Sequence, residues 1–494
     1  MCKFDSLADK QALKSVQIRR RYVVKVDFNK LERAFNPRTV VVVGDSKATN
    51  YEWLRGQKEV KGKLYSVHIN PNSFEDIKAM GIENYTSILD VPGPVDLVIV
   101  AVARRAAAAV LDDCIRKDVA AAHFFSSGFS ETDTEEGREL ERQLIAKAEA
   151  ANFHLIGPNC MGLYNPGVGI RQNEDQYLGD SGPVGFISQS GSVAIGFSME
   201  AHFQGVNINK SASFGNGIVL DSPDFLEYFG RDPSIKAIGM YLEGIKNGRR
   251  FMSVLRDIAA RKPVVIWRGG RTEDGGRAIA SHTGSLASSN SIWNSAIKQC
   301  GAIQVGSVEE LIDTLKALLY LPIVRGNRVA IAGGPGGQSV TSTDVFVEAG
   351  LSVPRLTRES YAELETFFEV VGGSYRNPID TAGPVRRDMK RIMSVVARDA
   401  NIDNIAYFVS TRPGRHITRE QLRGTMEVLE DIKRLNKPLI TMVLLNTSDA
   451  ANEARDIMNV LQESGIPAFP SVPRGAMALK NAFDYYNNGR NRGQ

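Results

Sequence analysis

A chain of 494 residues, at about 100 to 200 residues per domain, holds several domains, each long enough to bury its own core. Sixty Lys+Arg against 56 Asp+Glu leave a formal charge of +4, with 43% hydrophobic and 23% charged residues. That balance excludes a disordered or collagenous chain and gives no reason to expect a nucleic-acid partner.

Residues 1–35 read as a helical or partly ordered N-terminal extension to which the sequence assigns no role. They lack the apolar segment of a signal peptide. From Thr39 onward, short Val/Ile-rich runs alternate with amphipathic stretches, the pattern of parallel sheets with crossover helices. The fold class is therefore α/β. Strands are expected at 39–43, 64–69, 97–102, 121–125 and 154–156, with a helix at 136–151, and together they make one doubly wound domain over 36–171. The apolar stretch 95–111 is interrupted by Asp96, Arg104 and Arg105. It falls short of the roughly 18 uncharged residues of a membrane span, so no membrane partner is expected. A second series, domain 182–322, has strands at 184–188, 237–242 and 263–268 and helices at 192–203 and 249–260. A third, domain 327–494, has strands at 328–332, 405–409, 439–445 and 466–471 and a helix at 338–348.

Cys2, Cys114, Cys160 and Cys300 form no C-x-x-C pair, and no two of the six histidines lie within five positions of each other. No metal site is expected, and a reducing cytoplasm fits the thiols. Gly44, after the first strand in Val43-Gly44-Asp45-Ser46, permits a sharp turn beside a phosphate-bearing ligand. The other fingerprint glycines are missing, and Asp45 would oppose a phosphate, so a plain NAD site is disfavoured. Ser188-Gln189-Ser190-Gly191-Ser192 ends a strand and opens a helix, where hydroxyls and free N–H groups can converge on an anion. Gly333-Gly334-Pro335-Gly336-Gly337-Gln338-Ser339 has the same setting and is read as structural. There is no G-x-x-x-x-G-K-[ST], which excludes a P-loop, and Ser188 stands where a hydrolase elbow needs glycine.

His282 lies in a small, polar stretch, Ala280-Ser281-His282-Thr283-Gly284. An imidazole with a pKa near about 6.5 can accept a phosphoryl group and release it again. With Ser126-Ser127-Gly128-Phe129, Gly157-Pro158-Asn159-Cys160-Met161-Gly162 and Ile187-Ser188-Gln189-Ser190-Gly191, that stretch resembles the α-type portion of the NDP-forming acyl-CoA synthetases. These are the relatives of succinyl-CoA synthetase that include ADP-forming acetyl-CoA synthetases. The resemblance runs from about Asn36 to the C-terminus. It implies a Rossmann-like CoA-binding domain followed by two flavodoxin-like ligase domains.

By that resemblance His282 is transiently phosphorylated and Glu243 orients it. Gly44, Ser46, Asn70, Pro71, Val102 and Ala103 lie near CoA, and Asn159, Ser190 and Gly191 lie around the phosphate. Asp45, Ala103, Ser288 and Asn290 depart from the family's usual residues. The implied reaction interconverts acyl-CoA, phosphate and ADP or GDP with a small carboxylic acid, CoA and ATP or GTP, through an acyl phosphate and a phosphohistidine. No ATP-grasp-like region remains in the chain, so the nucleotide and its Mg2+ are expected in a separate ATP-grasp β-type subunit of a hetero-oligomer. The alternatives are an acyl or carbamoyl transferase without a nucleotide step, or a non-catalytic CoA-sensing protein.

Overall fold

Val40, Val41, Val42 and Val43 are buried on both faces, as befits a β-branched run at the centre of a sheet covered on both sides. Around this run the computed structural model, which describes residues 24–277, 290–381, 387–409, 419–444 and 448–490, builds the first of three sheets. It contains β1 (Thr39–Val43), β2 (Lys63–Val67), β3 (Glu83–Tyr85), β4 (Leu97–Val100), β5 (Ala121–Phe124) and β6 (Leu155–Ile156), all parallel, in the order β3-β2-β1-β4-β5-β6. The strand order reverses between β1 and β4, which opens a crevice at their carboxyl ends.

The second sheet has the order β12-β11-β10-β8-β9-β7, from β7 (Gly162–Tyr164), β8 (Val184–Ser188), β9 (Ile208–Ser213), β10 (Ala237–Leu242), β11 (Val264–Arg268) and β12 (Ile303–Val305). β7 lies within the span expected for the first domain, yet it pairs antiparallel with β9. The chain therefore changes sheet between Ile156 and Gly162. The third sheet is β13 (Val329–Ala332), β14 (Asn404–Val409), β15 (Leu439–Val443) and β16 (Ala468–Phe469), parallel and in sequence order.

Several strands stop earlier than their apolar runs suggest. β2 ends at Val67, and Ile69 is 78% exposed because the chain has already turned out of the sheet. β4 ends at Val100, before the turn that carries Val102 and Ala103. The strand expected at 466–471 is only Ala468–Phe469, and the one expected at 439–445 ends at Val443. β9 was not expected at all: Ile208-Asn209-Lys210-Ser211-Ala212-Ser213 is mostly polar, yet all six residues are buried.

Part of the N-terminal extension has a structural role. The helix Phe28–Phe35 is capped by Asp27, whose carboxylate accepts from the N–H groups of Asn29 and Lys30. It buries Leu31, Ala34 and Phe35. The Phe35 ring lies 5.1 Å from that of Tyr228 and 5.5 Å from that of Phe229, on the Ser222–Arg231 helix of the second sheet. One apolar cluster accordingly runs from Leu31 and Val40 through to Leu242 and Ile266. A second cluster joins the Val308–Tyr320 helix to the Val472–Arg490 helix beyond the third sheet. No helix among the described residues is long and apolar enough to cross a membrane.

Candidate active site

The β1/β4 crevice is lined where the strands end. Gly44 has φ +81°, and a Cβ on it would sit 2.4 Å from Val102 Cγ1. Only glycine both adopts that backbone and lets the β1 and β4 turns close on each other. Ser46 and Ala103 open short 3-10 turns on the two sides, and Asn70 opens a third after β2, its Oδ1 accepting from the Asn72 N–H at 3.1 Å with Pro71 in the first turn. Gly44, Ser46, Asn70, Pro71, Val102 and Ala103 thus share one sheet edge.

Asp45 turns back into its own loop. Its carboxylate is buried, accepting from Ser46 N at 3.0 Å, Thr49 Oγ1 at 2.9 Å and Leu54 N at 2.9 Å. It braces its own turn against the Glu52–Gly56 helix. Burial holds its carboxyl above the ordinary value even though those hydrogen bonds pull the other way.

The segment between β6 and β7 brings the two sheets together. Gly157–Pro158 is a cis peptide and Asn159 has φ +55°. Asn159 N donates to Ser126 O at 3.0 Å, at the end of β5, and Met161 N donates to Ser213 Oγ at 3.1 Å, at the end of β9. A Cβ on Gly191 would lie 2.6 Å from Met161 Cγ, and one on Gly215 would lie 2.1 Å from Asn159 O. The Asn159-Cys160-Met161 loop is therefore pressed between the end of the first sheet and the N-terminus of the Gly191–Phe203 helix. Cys160 is not exposed there. Its thiol points at Phe124 O and Ile156 O, and burial pushes it up to about 12, which suits packing rather than nucleophilic attack.

Ser190 caps the Gly191–Phe203 helix, its Oγ accepting from Val193 N at 3.5 Å and lying 3.2 Å from Ser192 Oγ. Gln189 accepts from Glu243 N at 2.9 Å and Gly244 N at 3.0 Å through one Oε1, which fastens the β8 turn to the β10 turn. Glu243 is buried at the end of β10, and burial together with the Glu243 carboxylate pushes the neighbouring Tyr241 phenol up. Asn159, Ser190, Gly191 and Glu243 accordingly converge on the carboxyl edge of the second sheet. His282 lies outside the described residues. β11 ends at Arg268, whose guanidinium lies 4.6 Å from the Trp293 ring and donates to Asn290 Oδ1 at 3.0 Å.

The sequence reading gave no role to Gln189, nor to Asn216, whose Oδ1 accepts from Asn159 Nδ2 at 3.5 Å and whose carbonyl accepts from Lys246 Nζ at 2.5 Å. Gln189 stood inside a recognised block, whereas Asn216 gave no signal beyond its two flanking glycines. The third glycine-rich turn proves tight: a Cβ on Gly333 would lie 2.5 Å from Phe408 O, and one on Gly336 would lie 2.7 Å from Asp380 Oδ2. Among the described residues no group of three or more His, Cys, Asp or Glu side chains could hold a metal ion.

Residues 38–166 match the model of a CoA-binding domain, and residues 181–318 match that of a succinyl-CoA ligase-like flavodoxin domain. The chain is 32% identical over 447 residues to the α subunit of ADP-forming acetate–CoA ligase II of Pyrococcus furiosus, covering 89% of this chain and 94% of that one. It is 35% identical to ADP-forming acetate–CoA ligase I of Archaeoglobus fulgidus over 76% of this chain and only 54% of the relative. The dinucleotide-forming acetyl-coenzyme A synthetase 1 of Ca. Korarchaeum cryptofilum, solved with phosphate and ADP, superposes with a TM-score of 0.81 at 30% identity, over 93% of this chain and 97% of that one.

Proposed function

This chain belongs to the family of ADP-forming acetate–CoA ligases as an α-type subunit of an NDP-forming acyl-CoA synthetase, an acid–thiol ligase, and from that membership we propose which residues carry its chemistry and what completes it. CoA occupies the β1/β4 crevice along Gly44, Ser46, Asn70, Pro71, Val102 and Ala103. Phosphate sits against Asn159, Ser190 and Gly191, where the helix N-terminus offers free N–H groups to its charge. The observation that carries this reading is the 157–161 loop, which lays the end of the first sheet on the N-terminus of the Gly191–Phe203 helix. A thioester held in the crevice and a phosphate held at the helix then meet.

A phosphate oxygen attacks the thioester carbonyl, the C–S bond breaks, and CoA leaves as the thiolate, giving an acyl phosphate. A ring nitrogen of His282 attacks phosphorus and the carboxylate departs. The β-phosphate of ADP or GDP then takes the phosphoryl group from the imidazole. Glu243 accepts the other ring N–H, fixes the tautomer and stabilises the phosphorylated ring. Phosphoryl transfer of this kind needs mainly positioning and charge neutralisation.

The nucleotide and its Mg2+ belong to a separate ATP-grasp β-type subunit in a cytoplasmic hetero-oligomer. Supporting this, the chain spans 94% of a relative that is itself designated subunit alpha but 54% of the Archaeoglobus relative, which carries no subunit designation. Cys114 and Cys160, buried and in no disulfide, suit a reducing compartment. The test is ATP formation from acetyl-CoA, ADP and phosphate. The chain alone is expected to bind CoA and make no ATP, and activity is expected on adding an ATP-grasp subunit and to vanish in His282→Ala. ATP made by the chain alone would overturn the division of labour, and an active His282→Ala would overturn the phosphohistidine.

A further inference from the structure

Asn216 stands where three loops of the site meet. It follows β9 between Gly215 and Gly217, both at positive φ, and its N–H donates to Pro158 O at 3.0 Å while Ile218 N donates to Gly157 O at 3.1 Å. Its Nδ2 donates to Glu131 Oε2 at 2.7 Å and to Glu141 Oε2 at 3.1 Å. Its Oδ1 accepts from Asn159 Nδ2 at 3.5 Å. Its backbone carbonyl accepts from Lys246 Nζ at 2.5 Å, three residues beyond Glu243. Glu131 in turn accepts from the N–H groups of Gly128 and Phe129, in the loop after β5.

The chemistry of the partners leaves this amide one orientation. An ionised carboxylate can only accept, so the NH2 end of Asn216 must face Glu131 and Glu141 and the carbonyl end must face Asn159. The Asn159 amide is fixed by the same logic, with its NH2 toward Asn216. We infer that Asn216 is a positioning residue for the phosphoryl step: it locks the orientation of the Asn159 side chain and ties the loop after β5 to the phosphate-side loop. This rests on the proposed phosphate site. The groups that face Asn216 are Glu131, Glu141, Asn159 and Lys246, with Asp221 beside the adjoining Gly217.

The variant Asn216→Asp separates positioning from folding. At neutral pH it sets a third carboxylate against Glu131 and Glu141, whereas its protonated form donates toward them as the amide does. The readout is single-turnover labelling of the full chain by acetyl-CoA and labelled phosphate, as acid-labile, base-stable phosphohistidine, in the presence of the partner subunit. Asn216→Asp is expected to lose about tenfold or more in labelling rate at pH 8, to regain rate as the pH falls to 5.5, and to keep CoA affinity within about threefold. Adding Glu131→Gln, which restores a donor to the pair, is expected to recover rate at pH 8. Labelling of Asn216→Asp and Asn216→Ala at the wild-type rate, with the wild-type pH profile, would overturn the positioning role alone. Absence of phosphohistidine in the wild-type protein would instead overturn the functional reading and this inference with it.

Discussion

His123 is buried on β5, and neither of its ring nitrogens has a hydrogen-bond partner among the described residues. Its ring lies 5.0 Å from that of Trp53, and a Cβ on Gly162 would fall 1.9 Å from Nδ1, so the imidazole is packed as a flat apolar plate. Burial alone pulls its pKa down to about 3. Because the folded value lies below the unfolded one of about 6.5, the unfolded chain binds the extra proton between those values. Stability is therefore unaffected above about pH 6.5 and is lost as the pH falls toward 3, by an amount on the order of 5 kcal/mol across the whole window. His123→Phe keeps the plate and removes the titration. Urea unfolding of this variant is expected to match wild type at pH 7.5 and to exceed it at pH 4.5; parallel stability curves down to pH 4.5 would show that His123 is not the group involved.

At the scale of elements, the short Phe28–Phe35 helix carries more than its length suggests. Eight residues make a poor helix in isolation, so the cap by Asp27 and the burial of Leu31, Ala34 and Phe35 must hold it. Phe35→Ala is expected to cost about 3 to 5 kcal/mol and Asp27→Ala about 1 kcal/mol, read as shifts in the urea midpoint. A Phe35→Ala shift no larger than that of Asp27→Ala would mean that the helix is not wedged between the two sheets. The sequence hid this role because an amphipathic stretch does not say what it packs against. Strands such as β1 and β4 were legible because parallel strands buried on both faces read as unbroken Val and Ile. β9 was not, because its two longest polar side chains find partners far off in sequence: Lys210 Nζ lies 2.5 Å from Asp232 Oδ2, and Asn209 Nδ2 donates to Gly182 O at 2.7 Å. The Gly44 and Ser190 turns were legible because a positive φ calls for glycine and a helix start for a capping hydroxyl, whereas Asn159 was singled out only through the family resemblance. Asn216 was not legible, because its partners, Glu131 in the turn after β5 and Glu141 on the Glu135–Ala150 helix, are distant in sequence.

Across the whole molecule, the second and third sheets are joined by a seam in which charges replace part of the apolar contact. Arg474 donates to Asp313 through Nε and Nη2, at 2.5 and 2.9 Å, and to Gln204 Oε1 at 2.7 Å. Next to this pair Lys316 is buried, its Nζ donating to Ala468 O at 3.0 Å and lying 5.5 Å from the Phe469 ring centroid. Asp313 sits nearby but is engaged by Arg474, so desolvation dominates and the Lys316 ammonium is pulled down to about 8. Its folded pKa then lies below the unfolded value of about 10.4, and between the two the unfolded chain holds the extra proton. Below pH 8 the buried charge opposes folding by an amount on the order of 3 kcal/mol, and this penalty is relieved as the pH rises from about 8 to 10. Lys316→Met keeps the stem and removes the charge, at the cost of leaving Ala468 O without its donor, about 1 to 3 kcal/mol. The variant should therefore be no less stable than wild type at pH 7.5 to within about 1 kcal/mol. Relative to wild type it should lose ground steadily between pH 8 and 10, because only wild type gains there. Chemical denaturation at pH 7.5, 8.5 and 9.5 reads this directly. A stability difference that stays constant across the three would mean that the seam holds Lys316 at an ordinary pKa, solvated or paired with Asp313 despite Arg474.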